Sequence, residues 1–165
     1  ANAAAGNEVI ASERGDGYDA FREALSFATV DLAKRIAADG EGASKFVEVR
    51  VTGAASYEDA HRVARAITRY SLVKTCIYGG DFNWGRIAGA VGAAGVPLDQ
   101  RSVEIRIGGI PAFVRGEPAD YDEDQAAAVM TADEVLIEVD LGAGGERATA
   151  WTCDLTPEYV HLNAT

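Results

Sequence analysis

Three segments in which apolar and polar residues alternate place the strongest constraint on the fold: residues 46–53, 102–107 and 134–141. In the first of them Val47, Val49 and Val51 share one face, while Glu48 and Arg50 lie on the opposite face. A period of two predicts a strand with one buried face. Residues 147–155 are expected to form a further strand. Gly108-Gly109 favours a turn that pairs the second segment with residues 110–115 as a hairpin.

Helical spacing dominates the rest of the chain. Asp16 is expected to cap a helix that ends near Ala38, with an apolar stripe that we expect to be core: Tyr18, Phe21, Leu25, Ala28, Leu32 and Ile36. Ser56 and Asp59 resemble a capping box that opens a second helix, and later helices are expected over 84–94 and 124–130, with a last helical turn starting at Pro157. Two helices around one strand, followed by strands of antiparallel character, indicate an α+β fold with a mixed or antiparallel sheet packed against helices.

Residues 71–86 hold the most distinctive local pattern. Residues 75–78 are β-prone and predict a strand, which Gly79-Gly80 would end because glycine adopts backbone angles that other residues avoid. Asp81 and Asn83 follow beside Trp84, just before a run of small residues. Polar residues in such a junction are typical of a functional site. The structural alternative is that Asp81 or Asn83 caps the next helix and that Trp84 fills the core.

Composition excludes several classes of function. The 165 residues suit one domain with a hydrophobic core, and the net charge of -11 argues against a nucleic-acid surface. No apolar run reaches the length of about 18 residues that a membrane span needs, and the N-terminus has no signal-peptide pattern. Cys76 and Cys153 have no metal-site spacing, and we expect both in strand-like apolar surroundings of a cytoplasmic protein. The missing initiator Met indicates a processed product or a fragment.

Three groups of residues, in order and at matching spacing, carry a family resemblance: 39–42 with Lys45, 71–75 with 80–87, and 153–156 with Tyr159-Val160 and Asn163-Ala164. They resemble the ornithine acetyltransferase family, the glutamate N-acetyltransferases of arginine biosynthesis. The resemblance covers the chain from the first helix onward. It implies a layered α/β/β/α fold of the N-terminal-nucleophile type. Residues 1–165 would be the C-terminal portion of the β chain, with a helical part (1–45) packing toward the active site and an α+β domain (46–165).

The resemblance also implies a reaction. In this family a precursor cleaves itself, and the threonine at the new N-terminus of the β chain carries acetyl from N-acetylornithine to glutamate in a ping-pong mechanism. The expected partner is the α chain in an α2β2 heterotetramer, and no cofactor, metal, nucleic acid or membrane is expected. Two alternatives stay open: a self-processing N-terminal-nucleophile aminopeptidase or amidase, and a noncatalytic assembly module.

The residues implied for the site are few. Glu41 and Asn163 match substrate-binding positions, where a carboxylate would hold a substrate amine and an amide would contact the amino-acid head group. The junction residues are expected to organise the site: Asp81, Asn83, Trp84 and Arg86. Lys45 and Lys74 are expected to pair with acids and not to act in catalysis. No catalytic residue is expected in these 165 residues, because the segment with the nucleophilic threonine is absent from them. Phe82 replaces the proline usual in the family and is expected to loosen the turn.

Overall fold

The alternating segments form a mixed sheet in a computed structural model, which describes residues 4–7 and 9–164. Its six strands are β1 (Phe46–Ala54), β2 (Glu104–Ile107), β3 (Ile110–Val114), β4 (Glu117–Pro118), β5 (Glu134–Asp140) and β6 (Glu146–Cys153). Their order across the sheet is β4-β3-β2-β5-β1-β6. Among the described strands, β1 and β5 pair in parallel and the other neighbours are antiparallel. The predicted α+β class is confirmed, as are the hairpin of β2 with β3 and the strands β5 and β6.

One face of this sheet forms the core together with two helices, α2 (Tyr57–Arg69) and α4 (Trp84–Ala93). The three valines of β1 that share a face are buried, as the alternation predicts. Helix α2 buries the four residues expected to face inward: Ala60, Val63, Ala64 and Ile67. Its predicted cap is also confirmed, because the Ser56 Oγ accepts a hydrogen bond from the Asp59 backbone N–H at 3.1 Å.

The predicted strand at residues 75–78 is wrong, since these residues end a helix, α3 (Ser71–Tyr78). Val73, Cys76 and Ile77 lie at spacings of three and four and are all buried. That spacing puts them on one helical face, so burial of the face against the core outweighs the β-propensity of the individual residues. Cys76 therefore lies on a helix and not in a strand. Asp81 and Asn83 consequently follow a helix.

The chain divides into two units, residues 1–35 and 36–165. Helix α1 (Asp16–Ala38) ends where predicted and accounts for most of the first unit, but Asp16, expected to cap it, is its first helical residue. The expectation that its apolar stripe is core is wrong, because no residue of α1 is buried and Phe21 is 53% exposed. Helical spacing predicts which face of a helix is apolar, but it does not predict what covers that face. Within residues 4–7 and 9–164, no helix is long and apolar enough to cross a membrane.

Two short helices complete the second unit: α5 (Glu123–Thr131) and α6 (Pro157–Asn163). Helix α5 lies in the acidic segment where a short helix is predicted. Helix α6 begins at Pro157, which the sequence places at the first helical position, and its N-cap is Thr156. Because α6 follows β6 almost directly, the end of the central sheet determines where the last helix lies.

Candidate functional site

The two residues predicted to bind substrate are brought together by the fold. Asn163, on the last turn of α6, donates a hydrogen bond from Nδ2 to Glu41 Oε2 at 2.8 Å, although the two residues are 122 positions apart. The same Nδ2 donates to the Tyr159 backbone carbonyl at 2.8 Å. Both Glu41 and Asn163 are exposed, so their polar atoms are open to a ligand. Their role in substrate binding stays a prediction.

The Glu41 loop, residues 39–45, is fastened to the end of β6 by Asp154. This side chain is only 3% exposed. Its carboxylate accepts hydrogen bonds from the Ser44 backbone N–H at 2.9 Å, from the Ser44 hydroxyl at 2.5 Å and from the Lys45 backbone N–H at 3.2 Å. The Asp154 backbone N–H also donates to the Lys45 carbonyl at 3.1 Å. Three donors satisfy a buried carboxylate that would otherwise be costly to desolvate.

Thr156 connects the same loop to helix α6. Its side chain is buried, with 5% of the residue exposed. The Oγ1 donates to the Gly42 carbonyl at 2.6 Å and accepts from the Tyr159 backbone N–H at 3.2 Å, which caps the helix. Gly42 has a φ of +67°, and a Cβ built on it would lie 2.7 Å from the Tyr159 nitrogen. The loop therefore lies directly against the first turn of α6 with no room for a side chain.

Asn83 caps helix α4, and Arg86 connects α4 to α3 through hydrogen bonds. The Asn83 side chain accepts from the Arg86 backbone N–H at 3.1 Å and so caps α4, and its Nδ2 donates to Asp81 at 3.0 Å. The Arg86 guanidinium reaches back to α3, donating to the Leu72 carbonyl at 2.9 Å and to the Thr75 hydroxyl at 3.2 Å. The structural interpretation of Asn83 as a helix cap is thus confirmed.

The aromatic residues of this junction pack inward. Trp84 stacks on Phe113 with ring centroids 4.9 Å apart, at the edge of the hydrophobic core. Trp84 is partly buried, so its ring packs against the core and does not lie within it. Phe82 is partly buried and packs against Tyr121 with ring centroids 4.5 Å apart. The aromatic ring therefore gives this turn a hydrophobic anchor of its own.

The two lysines have partners other than the expected acids. Lys45 donates from Nζ to the Met130 backbone carbonyl, and Lys74 Nζ lies 3.9 Å from the Cys153 Sγ. Both cysteines are free. Burial raises the pKa of the Cys76 thiol from 9.0 to about 11, so this thiol is protonated at neutral pH.

Metal ligation has no candidate in the described part of the chain. In residues 4–7 and 9–164, no three or more His, Cys, Asp or Glu side chains cluster so that they could hold a metal ion. His61 is exposed and stacks with Tyr57, with ring centroids 5.9 Å apart. It occupies the surface position expected from the pattern of α2.

Three residues that build the site were given no role by the sequence: Ser44, Asp154 and Thr156. Asp154 and Thr156 lie in one of the segments that carry the family resemblance, but their spacing alone does not show which loop they hold. A signal was nevertheless present. A threonine directly before the proline that begins a helix is typical of an N-cap, and N-cap side chains are tied to the backbone.

Comparison with known proteins extends this description. The family model of the ArgJ family matches residues 1–165. The chain belongs to the ArgJ family. It is 44% identical to the arginine biosynthesis bifunctional protein ArgJ of Oceanobacillus iheyensis over 164 residues, and 46% identical to that of Zymomonas mobilis over 165 residues, in each case covering 99% of this chain. It spans about 40% of the length of these curated ArgJ relatives.

A solved structure matches as well. The crystal structure of the ArgJ protein of Bacillus halodurans superposes with a TM-score of 0.91 at 46% identity, covering 97% of this chain and 75% of that one. This agreement confirms the mixed sheet with its helices as an ArgJ fold. The family resemblance inferred from the three sequence segments is also confirmed. The ArgJ relatives carry a name from arginine biosynthesis, which is the metabolic area that the resemblance predicts.

Proposed function

We propose that these residues are the C-terminal portion of the β chain of a glutamate N-acetyltransferase, in which Glu41 and Asn163 hold the amino-acid substrate. The main support is the 2.8 Å hydrogen bond between these two exposed side chains. Two polar residues so far apart in the chain meet at the surface only because buried neighbours hold them there. Membership of the ArgJ family supports the choice of amino-acid chemistry.

The two side chains complement the groups of an α-amino acid. Such a substrate presents a positive ammonium group and a negative carboxylate. The Glu41 carboxylate accepts hydrogen bonds from the ammonium group, and the Asn163 amide donates one to the substrate carboxylate. Because both residues are exposed, a substrate can replace the hydrogen bond that they make with each other.

The reaction needs groups from outside these 165 residues. A threonine hydroxyl attacks the acetyl carbonyl of N-acetylornithine, the C–N bond breaks, and ornithine leaves with the proton. The amine of glutamate then attacks the acyl-threonine and restores the hydroxyl. An α chain supplies the oxyanion hole for both tetrahedral intermediates, in a cytoplasmic α2β2 assembly. This chain contributes the wall of the pocket that orients the substrate.

Steady-state kinetics of the whole enzyme test this proposal. Glu41→Gln removes the negative charge opposite the substrate ammonium group, and Asn163→Ala removes the hydrogen bond donated to the substrate carboxylate. Each such interaction with a charged group is worth about 1.5–3 kcal/mol, so kcat/KM for glutamate should fall roughly 10- to 100-fold. Glu58→Gln and Gln125→Ala change an exposed carboxylate and an exposed amide elsewhere and serve as matched controls. Site variants that stay within about twofold of these controls would overturn the proposal. Release of free acetate without acetylglutamate would indicate a hydrolase instead.

A further inference from the structure

We infer that Thr156 is a positioning residue, which holds the Glu41 loop and helix α6 at the separation that the substrate requires, with Asp154 fixing the other end of the loop. This inference rests on the function proposed above for Glu41 and Asn163. It assigns a role to two residues, Asp154 and Thr156, that are buried beneath the exposed side chains of Glu41 and Asn163.

The hydroxyl of Thr156 makes two hydrogen bonds that lead to the two sides of the site. It donates to the carbonyl of Gly42, the residue that follows Glu41. It accepts from the backbone N–H of Tyr159, and the Tyr159 carbonyl in turn accepts from the Asn163 amide. One oxygen atom thus links the backbone beside the carboxylate to the helical turn that orients the amide.

The donated hydrogen bond goes beyond what a helix cap needs. An N-cap hydroxyl satisfies the helix by accepting from the backbone, and Ser56 does this at the start of α2. Ser56 donates its own hydrogen to Asp59 within the same helical turn. Thr156 instead directs its hydrogen to a loop 114 positions away. The two caps share their local chemistry and differ in this long-range contact.

Asp154 limits the movement of the loop from the other side. Its buried carboxylate holds Ser44 and Lys45 through three hydrogen bonds, so the backbone from Gly42 to Lys45 is fixed at both ends. Gly42 lies so close to Tyr159 that the loop and α6 are in direct contact and cannot move closer together. Small displacements of oriented groups in an active site lower the rate of the reaction. The hydrogen bonds of Asp154 and Thr156 to the loop are therefore expected to affect substrate affinity.

Steady-state kinetics of the whole enzyme distinguish a positioning role of Thr156 from a role in folding alone. Thr156→Val keeps the shape of the side chain and removes both hydrogen bonds, and it should raise KM for glutamate roughly tenfold with a smaller change in kcat. Thr156→Ser retains the hydroxyl and should restore KM to within about twofold of the wild type. Ser56→Ala removes a comparable cap far along the chain and should leave KM unchanged.

A double-mutant cycle tests whether Thr156 acts through Asn163. If it does, Thr156→Val should cost less in kcat/KM in the Asn163→Ala background than in the wild type, because residues that share one network are not additive. Equal costs in both backgrounds would overturn the inference, as would a Thr156→Val variant with wild-type KM. If Thr156→Val does not fold, Asp154→Asn takes its place in the same cycle, with the same two outcomes deciding.

The failure of this inference is distinguishable from failure of the proposed function. Loss of activity in Glu41→Gln and Asn163→Ala, together with wild-type KM in Thr156→Val, would overturn positioning and leave the substrate-binding proposal standing. Wild-type kinetics in Glu41→Gln and Asn163→Ala would overturn both.

Discussion

At the scale of single residues, Gly42 determines how closely the Glu41 loop approaches helix α6. Its φ of +67° lies in the left-handed region that disfavours other residues, and a Cβ would come within 2.7 Å of a backbone nitrogen of α6. Glycine at this position lets the Glu41 loop touch the helix that carries Asn163.

Gly42→Ala is therefore expected to destabilise the protein more than the same substitution at Gly95. Both glycines have a nearly equal positive φ, but nothing lies within 4 Å of a Cβ at Gly95. The left-handed conformation costs each variant about 1–2 kcal/mol, and the clash adds about 1–3 kcal/mol at Gly42 only. Chemical denaturation of the two variants measures the difference. Equal losses of unfolding free energy would contradict the close contact between loop and helix.

The two cysteines are expected to differ in reactivity, because the thiolate is the reacting form. Cys76 is only 2% exposed and burial raises its pKa to about 11, whereas Cys153 is half-buried at the edge of the site. Iodoacetamide at pH 8 should modify Cys153 and leave Cys76 intact until the protein unfolds. Mass spectrometry of the peptides measures both sites in one sample. Similar alkylation rates in the native protein would contradict the buried position of Cys76.

The raised pKa of Cys76 also predicts how stability depends on pH. The folded state keeps the proton where the unfolded state, with a pKa near 9.0, loses it. The contribution of this thiol is therefore complete below about pH 9 and is lost as the pH rises toward about 11. Cys76→Ala should flatten this part of the stability profile. An unchanged slope in that variant would contradict the assignment.

At the scale of helices and strands, local patterns predicted most of the second unit. Three features could be predicted because the residues that determine them are neighbours in sequence: the valines of β1, the glycine pair of the hairpin and the Ser56 cap. Helix α3 was not predicted, because the β-propensity of residues 75–78 was given more weight than the helical spacing of Val73, Cys76 and Ile77. The two-residue strand β4 was also missed, since its pairing with β3 depends on tertiary position.

The helical assignment of α3 leads to a comparison of two substitutions. Ile77→Ala removes a side chain that is 1% exposed and should lower the unfolding free energy by about 2–5 kcal/mol. Leu72→Ala, on the exposed side of the same helix, should cost less than about 1 kcal/mol. Urea denaturation of both variants gives the two values. A larger loss for Leu72→Ala would contradict the helical face described for α3.

At the scale of the whole molecule, the site could be predicted only in part. Glu41 and Asn163 were identified through the family resemblance, and no spacing rule would have paired residues so far apart in the chain. The anchors Asp154 and Thr156 were unassigned for the same reason. The expectation that the apolar stripe of α1 is core is wrong for a similar reason, since helical spacing shows which face is apolar and not whether that face is buried.

The proposed mechanism also predicts the behaviour of these residues alone. The isolated chain should transfer no acetyl from N-acetylornithine to glutamate, because the reactive threonine and the oxyanion hole come from elsewhere. Co-expression with the proposed α chain and the threonine-bearing segment should restore transfer. Chromatographic detection of acetylglutamate measures both, and transfer by the isolated 165 residues would contradict the mechanism.

Calorimetric titration of the whole enzyme with L-glutamate tests the central claim most directly, because it measures binding without chemistry. The account predicts that Glu41→Gln and Asn163→Ala each raise Kd roughly tenfold or more, while Glu58→Gln and Gln125→Ala stay within about twofold of the wild type. Wild-type affinity in both site variants would contradict the claim that these two side chains hold the substrate.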